Sequence, residues 1–161
     1  MKRYLILLAA LALSAAAYSQ DWETDGLDCT SMAVGRLASD DGSVITSHTC
    51  DGKSRTWLTQ EPAARYPKGT MHPVYRGGRH VAFPGDTTGL RKTGEIPEAR
   101  RTYAYLNTAY PSLNERQVAI GETTFSGPDT LRSSNGIFLV EELCRIALQR
   151  CDNARDAVKL M

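Results

Sequence analysis

Asp41-Gly42 lies between two β-rich runs, residues 29–35 and 43–48, and a turn dipeptide flanked by strand formers calls for an antiparallel hairpin. That hairpin puts Cys29 at the opening of its first strand, so the rest of the chain has to pack around an early β unit. The length of 161 residues, with 42% hydrophobic and 23% charged side chains, suits one ordinary globular domain. Nineteen basic against eighteen acidic side chains leave a formal charge of +1. This gives no electrostatic footprint for nucleic acid or anionic lipid, and neither is expected as a partner.

The residues ahead of the hairpin read as an address. Lys2 and Arg3 form a basic start, residues 5–17 an apolar stretch, and Ala15, Ala17 and Ser19 offer small-residue cleavage sites. The stretch is shorter than a membrane span of about 20 residues, so residues 1–19 are expected to be a cleaved signal peptide. The protein is then exported, to the periplasm or the medium, with no membrane attachment after cleavage. Asp21, Glu23, Asp25 and Asp28 crowd the next segment, and residues 20–28 read as a short acidic pro-segment. The first 28 residues hold two basic and four acidic side chains, which leaves residues 29–161 mildly basic at a formal +3.

Gly, Pro, Arg and His dominate residues 52–97, read as loops with short strands. Residues 101–106 and 117–123 have strand composition, the second entered through a turn at Asn114. Residues 136–150 switch to helical spacing, with Leu139, Leu143, Ile146 and Ala147 on one face and Glu141, Glu142, Arg145 and Gln149 on the other. A second helix is expected after Asp152 or Asn153 as cap, through Ala154, Ala157, Val158 and Leu160. It ends at Met161 without a capping signal, so the natural chain is expected to continue. Strands first and helices later make the class α+β.

Four cysteines permit three disulfide pairings that count alone does not rank. On one continuous helix Cys144 and Cys151 would be about 10 Å apart in rise, beyond disulfide reach. Cys29 and Cys50 lie on neighbouring strands, but a bridge there would consume a candidate nucleophile. His48, Cys50 and Asp51 gather potential metal ligands, without the C-x-x-C or H-x3-H spacing of zinc sites; no metal and no cofactor is expected. The stronger constellation is Cys29 directly after a removable acidic leader. A thiol needs a base to become a thiolate. Cleavage between Asp28 and Cys29 would create one, an α-amino group with a pKa of about 7.7 to 8.0. A buried strand cysteine is the competing reading of Cys29.

Cys29-Thr30-Ser31-Met32-Ala33-Val34-Gly35, followed by Asp41-Gly42-Ser43, resembles the opening of the C69 dipeptidases, a family of N-terminal nucleophile hydrolases. The run Asn114-Glu115-Arg116-Gln117-Val118-Ala119-Ile120-Gly121-Glu122-Thr123 and the Glu141-Glu142-Leu143 segment are similar to that family in the same order. The resemblance covers nearly all of residues 29–161 and implies the N-terminal part of an αββα sandwich, incomplete in this chain. It also implies hydrolysis of dipeptides or short peptides, with Cys29 as nucleophile and its freed amine as base, and Asp51 beside it to orient the amine. His48 stands where the family often has arginine, and Glu122 and Thr123 fall in the substrate or oxyanion region. Two alternatives stay open. One is an amidase of the same superfamily acting on non-peptide acylamides; the other is a noncatalytic, disulfide-stabilised exported binding domain.

Overall fold

The structure, a computed structural model, describes residues 29–50, 54–123, 128–131, 133 and 135–161. The expected signal peptide (1–19), the acidic segment (20–28) and Asp51 lie outside the described residues. In chain order the elements are β1 (Ser31–Val34), β2 (Ile45–His48), β3 (Thr59–Glu61), β4 (Ala64–Arg65), β5 (Met71–Arg76) and β6 (Arg91–Pro97). There follow β7 (Arg101–Thr102), β8 (Tyr105–Asn107), β9 (Leu113–Asn114), a 3₁₀ turn (Asp129–Leu131), α1 (Val140–Arg150) and α2 (Ala154–Leu160). Strand pairs β1-β2, β4-β7 and β5-β6 and the three-stranded β3-β8-β9 sheet are all antiparallel. The α+β class is as expected.

The first hairpin pairs Ser31 with His48 and Val34 with Ile45. Its connection, residues 35–44, is longer than a two-residue turn. One turn closes between Gly35 and Ala38, and Asp41-Gly42 makes the next, where Gly42 takes φ 73° and Asp41 Oδ1 accepts the Ser43 N–H at 2.9 Å. In the middle region the most extended pairing is β5 with β6, longer than the short strands expected there. Gly77 starts the loop between them at φ 136°, and a Cβ there would lie 2.9 Å from the Leu90 side chain, so only glycine fits without movement.

Two expected strands differ. Residues 101–106 split into β7 and β8 because the intervening backbone turns to other partners. Tyr103 N–H bonds the Gln149 carbonyl at the end of α1, and Ala104 N–H bonds Glu115 Oε1. Residues 117–123 do not form a strand. Asn114 Oδ1 accepts from the Arg116 and Val118 N–H groups, Gln117 sits at φ 62°, and the chain returns along β9 with one bridge, Leu113 to Ala119. Side-chain capture of the backbone competes with the ladder at this point.

The apolar core is small: Tyr105, Val118, Ala147, Leu148, Cys151 and Ala157, with Ile120 packed against it. Asn114 ties it from the polar side, donating to the Leu148 and Cys151 carbonyls at 2.7 and 2.8 Å. Asn153 caps α2 by accepting the Asp156 N–H at 2.9 Å, as expected. The faces of α1 overturn the simple amphipathic reading, since Glu142 is 0% and Glu141 7% exposed while Leu143 is only half-buried. Glu142 pairs with Arg145 and with Arg79 Nε at 3.1 Å. His72 bridges outward, its Nδ1 2.7 Å from Glu98 and its Nε2 2.6 Å from Arg145 Nη2, and Arg150 closes on Glu98 at 3.1 Å. Nε2 of the His72 ring also lies 3.5 Å from Glu142 Oε1, so His72 links the two carboxylates. A second, ionic core thus lies between α1 and the β5–β6 hairpin.

Candidate active site

Cys29 is half-buried beside β1, and its carbonyl accepts the Thr123 hydroxyl at 2.7 Å. Two residues on, Ser31 Oγ donates to the Glu122 carbonyl at 3.3 Å. Gly121 lies against the same end of the hairpin, where a Cβ would stand 3.5 Å from Ser31 Oγ and 3.7 Å from His48 Nδ1. The segment 121–123, although not a strand, is therefore the strap that holds the open end of the hairpin. It brings Cys29, His48, Glu122 and Thr123 together. Glu122 itself is buried at 7% exposure, whereas Thr123 is exposed.

The hairpin ladder continues past its regular strands. Thr49 N–H donates to the Thr30 carbonyl at 2.8 Å, and Thr30 N–H to Thr49 Oγ1 at 3.0 Å. Cys29 and Cys50 follow, both half-buried free thiols. His48 and Cys50 open onto a cavity of about 310 Å³ whose wall includes Arg55, Trp57 and Tyr110, at the small end of the range for ligand pockets. Trp57 meets Phe83 at a centroid distance of 4.9 Å.

Tyr110 stands at the junction of these groups. Burial pushes its phenol up to about 12, and the neighbouring acidic groups of Cys50, Glu122, Glu141 and Cys29 act in the same direction. The hydroxyl accordingly keeps its proton at neutral pH and is a donor. His80 stacks parallel on its ring at 6.1 Å and lies 3.7 Å from Glu141. Arg55 is 9% exposed and ties its own loop to two other segments: it donates to the Ala82 carbonyl at 2.7 Å, and to Asn107 Oδ1 and the adjacent Thr108 carbonyl. Burial lowers its pKa below the ordinary guanidinium value. Arg55 also lines a second cavity, of about 320 Å³, with Glu61, His72, Arg79, Glu141 and Arg145.

Sequence reasoning missed Tyr110 and Arg55 as members of this region. Neither carries a spacing signal, because both sit in irregular segments and meet the hairpin only through the tertiary fold. Asp51, the expected orienting carboxylate, is outside the described residues. Among the described residues no group of three or more His, Cys, Asp or Glu is placed to hold a metal ion, and no helix is long and apolar enough to cross a membrane. The arrangement offers a thiol fixed through its own main chain at Cys29, and, at the same end of the hairpin, a small cavity lined by His48, Cys50 and the protonated phenol of Tyr110. Those are the means for nucleophilic attack on a small carbonyl substrate.

The model of peptidase family C69 matches residues 28–161. No curated protein and no solved structure matches the chain.

Proposed function

Because the chain belongs to peptidase family C69, and is thereby a peptidase, we propose that it is an exported cysteine-type dipeptidase whose nucleophile is Cys29, made N-terminal by removal of residues 20–28. In this reading the α-amino group of Cys29 takes the thiol proton, and the sulfur attacks the dipeptide carbonyl carbon. The ammonium then returns its proton to the leaving nitrogen as the C–N bond breaks, releasing the C-terminal amino acid and leaving a thioester on Cys29. Water, deprotonated by the same amine, breaks the C–S bond and frees the second amino acid. Asp51 is assigned the orientation of the amine, and His48, Glu122 and Thr123 the substrate or oxyanion side. The αββα layering of an N-terminal nucleophile hydrolase belongs to the same proposal.

The observation that supports this most is the Thr123–Cys29 hydrogen bond. It fixes the main chain of Cys29 against a segment far away in sequence, as a nucleophile whose own amine is the base requires. The experiment is a panel of dipeptides, longer peptides and N-acyl amino acids assayed with the purified protein, with N-terminal sequencing of the active form. Dipeptide turnover by a chain that starts at Cys29 is expected. Activity in a chain that still carries residues 20–28, or turnover confined to N-acyl substrates, would refute it.

A further inference from the structure

The register of the first hairpin makes Cys29 and Cys50 cross-strand partners. Ser31 faces His48 and Met32 faces Ser47, and the ladder runs one step further, with Thr49 N–H bonded to the Thr30 carbonyl. The next pair outward is Cys29 with Cys50. Thr30 and Thr49 carry the hydrogen bonding, so the two cysteines occupy a non-hydrogen-bonded position, where facing Cα atoms come to about 4.5 Å and side chains are closest. That spacing is within the range of about 4.4 to 6.8 Å that a disulfide spans. Both thiols are free and only half-buried, whereas Cys144 and Cys151 are buried. Burial also pushes the Cys144 thiol up to about 11 and raises that of Cys151, which keeps those two protonated and unreactive.

We propose that Cys50 is a resolving thiol for Cys29, and that a reversible Cys29–Cys50 disulfide switches the active site off. This rests on the reading of Cys29 as nucleophile. The oxidant is a small-molecule disulfide such as oxidised glutathione. The Cys29 thiolate attacks one glutathione sulfur, forming a mixed disulfide and releasing one glutathione thiolate. Cys50, as thiolate, then attacks the Cys29 sulfur, closing the intramolecular disulfide and releasing the second glutathione. Two protein thiols are oxidised, one glutathione disulfide is reduced, and the two protons lost end on the two glutathiones at neutral pH. A sulfur held in this bond has no lone thiolate for a substrate carbonyl.

The test equilibrates the purified, processed protein, which begins at Cys29, in a glutathione buffer with the reduced form in excess, where a single thiol stays largely free and a facing pair closes. Each sample is quenched by alkylation, mapped by mass spectrometry after trypsin, and assayed for dipeptide hydrolysis. Expected are a linked pair of peptides carrying Cys29 and Cys50, alkylatable Cys144 and Cys151 after denaturation, and at least tenfold loss of hydrolysis that a dithiol reverses. Cys50→Ala, compared with its own reduced sample, should lose less than twofold under the same treatment. Cys29 found free, or joined to glutathione rather than Cys50, overturns the switch, as does a Cys50→Ala variant that loses as much activity as the wild type. The peptide map reads the bond whether or not the reduced protein hydrolyses dipeptides, so a failure of the catalytic reading is seen separately.

Discussion

Thr123 contributes one hydroxyl to the site, donated at 2.7 Å to the Cys29 carbonyl. Replacing it with valine removes a bond worth about 1 kcal/mol, and because Thr123 is exposed the loss falls on Cys29 rather than on the core. Thr123→Val should lower kcat about fivefold with the melting temperature unchanged. Glu142 presents the opposite case. Its carboxyl is buried, which opposes ionisation, but the hydrogen bond from His72 and the charges of Arg145 and Arg79 outweigh burial and hold it below the ordinary glutamate range. Glu98, likewise buried, is held low by the Ala99 N–H, His72 and Arg150. A carboxylate with a lowered folded pKa stabilises the fold fully above its unfolded value, about 4.3, and that contribution is lost as pH falls through the folded value. Glu142→Gln should cost about 3 kcal/mol at neutral pH, since it leaves Arg79 and Arg145 short of their buried counter-charge. Chemical denaturation at pH 7 and below pH 4 should show the variant losing less stability on acidification than the wild type.

At the level of elements, what the sequence made legible is what local physics decides. The hairpin β1–β2 follows from a turn dipeptide between β-formers, and α2 from the Asn153 cap and its short apolar pattern. What stayed hidden depends on partners distant in sequence. Glu141 and Glu142 fall on the polar side of α1 by periodicity, yet that side is buried because His72, Arg79 and Glu98 arrive from the β5–β6 region to complete an ionic core. Residues 117–123 have strand composition, yet the Asn114 side chain takes up backbone groups that a ladder would use. The candidate site follows the same division. Cys29 is a candidate from the sequence alone, by its place after an acidic run, whereas Tyr110 and Arg55 reach the region through loops whose positions no periodicity encodes. The strap 121–123 yields its own prediction. Gly121→Ala places a methyl at ordinary contact distance from Ser31 and His48 and should be tolerated. Gly121→Leu must push the hairpin end away, and with Cys29 displaced, hydrolysis should fall tenfold or more while far-ultraviolet circular dichroism stays unchanged.

As a whole, the molecule joins a peripheral β unit to a body with two cores. The apolar core binds α1 and α2 to β8 and the segment after β9, and the ionic core binds α1 to the β5–β6 hairpin. The first hairpin belongs to neither, and Met32, Val44 and Ile45 on it are more than half exposed. Its described links to the body include the two hydrogen bonds to residues 122 and 123 and the contact with Gly121. Under the proposed function, stability and chemistry are therefore largely separable: substitutions in the two cores are expected to act on unfolding, and those at the hairpin end on hydrolysis. That separation allows a clean test of Cys29, which is half-buried and outside both cores. The measurement is the rate of dipeptide hydrolysis by Cys29→Ala against the wild type, at matched concentration of folded protein. Loss of at least about 1000-fold, with the melting temperature preserved, is predicted for a chain whose nucleophile has been removed. Hydrolysis within a few-fold of the wild type would contradict the assignment of Cys29.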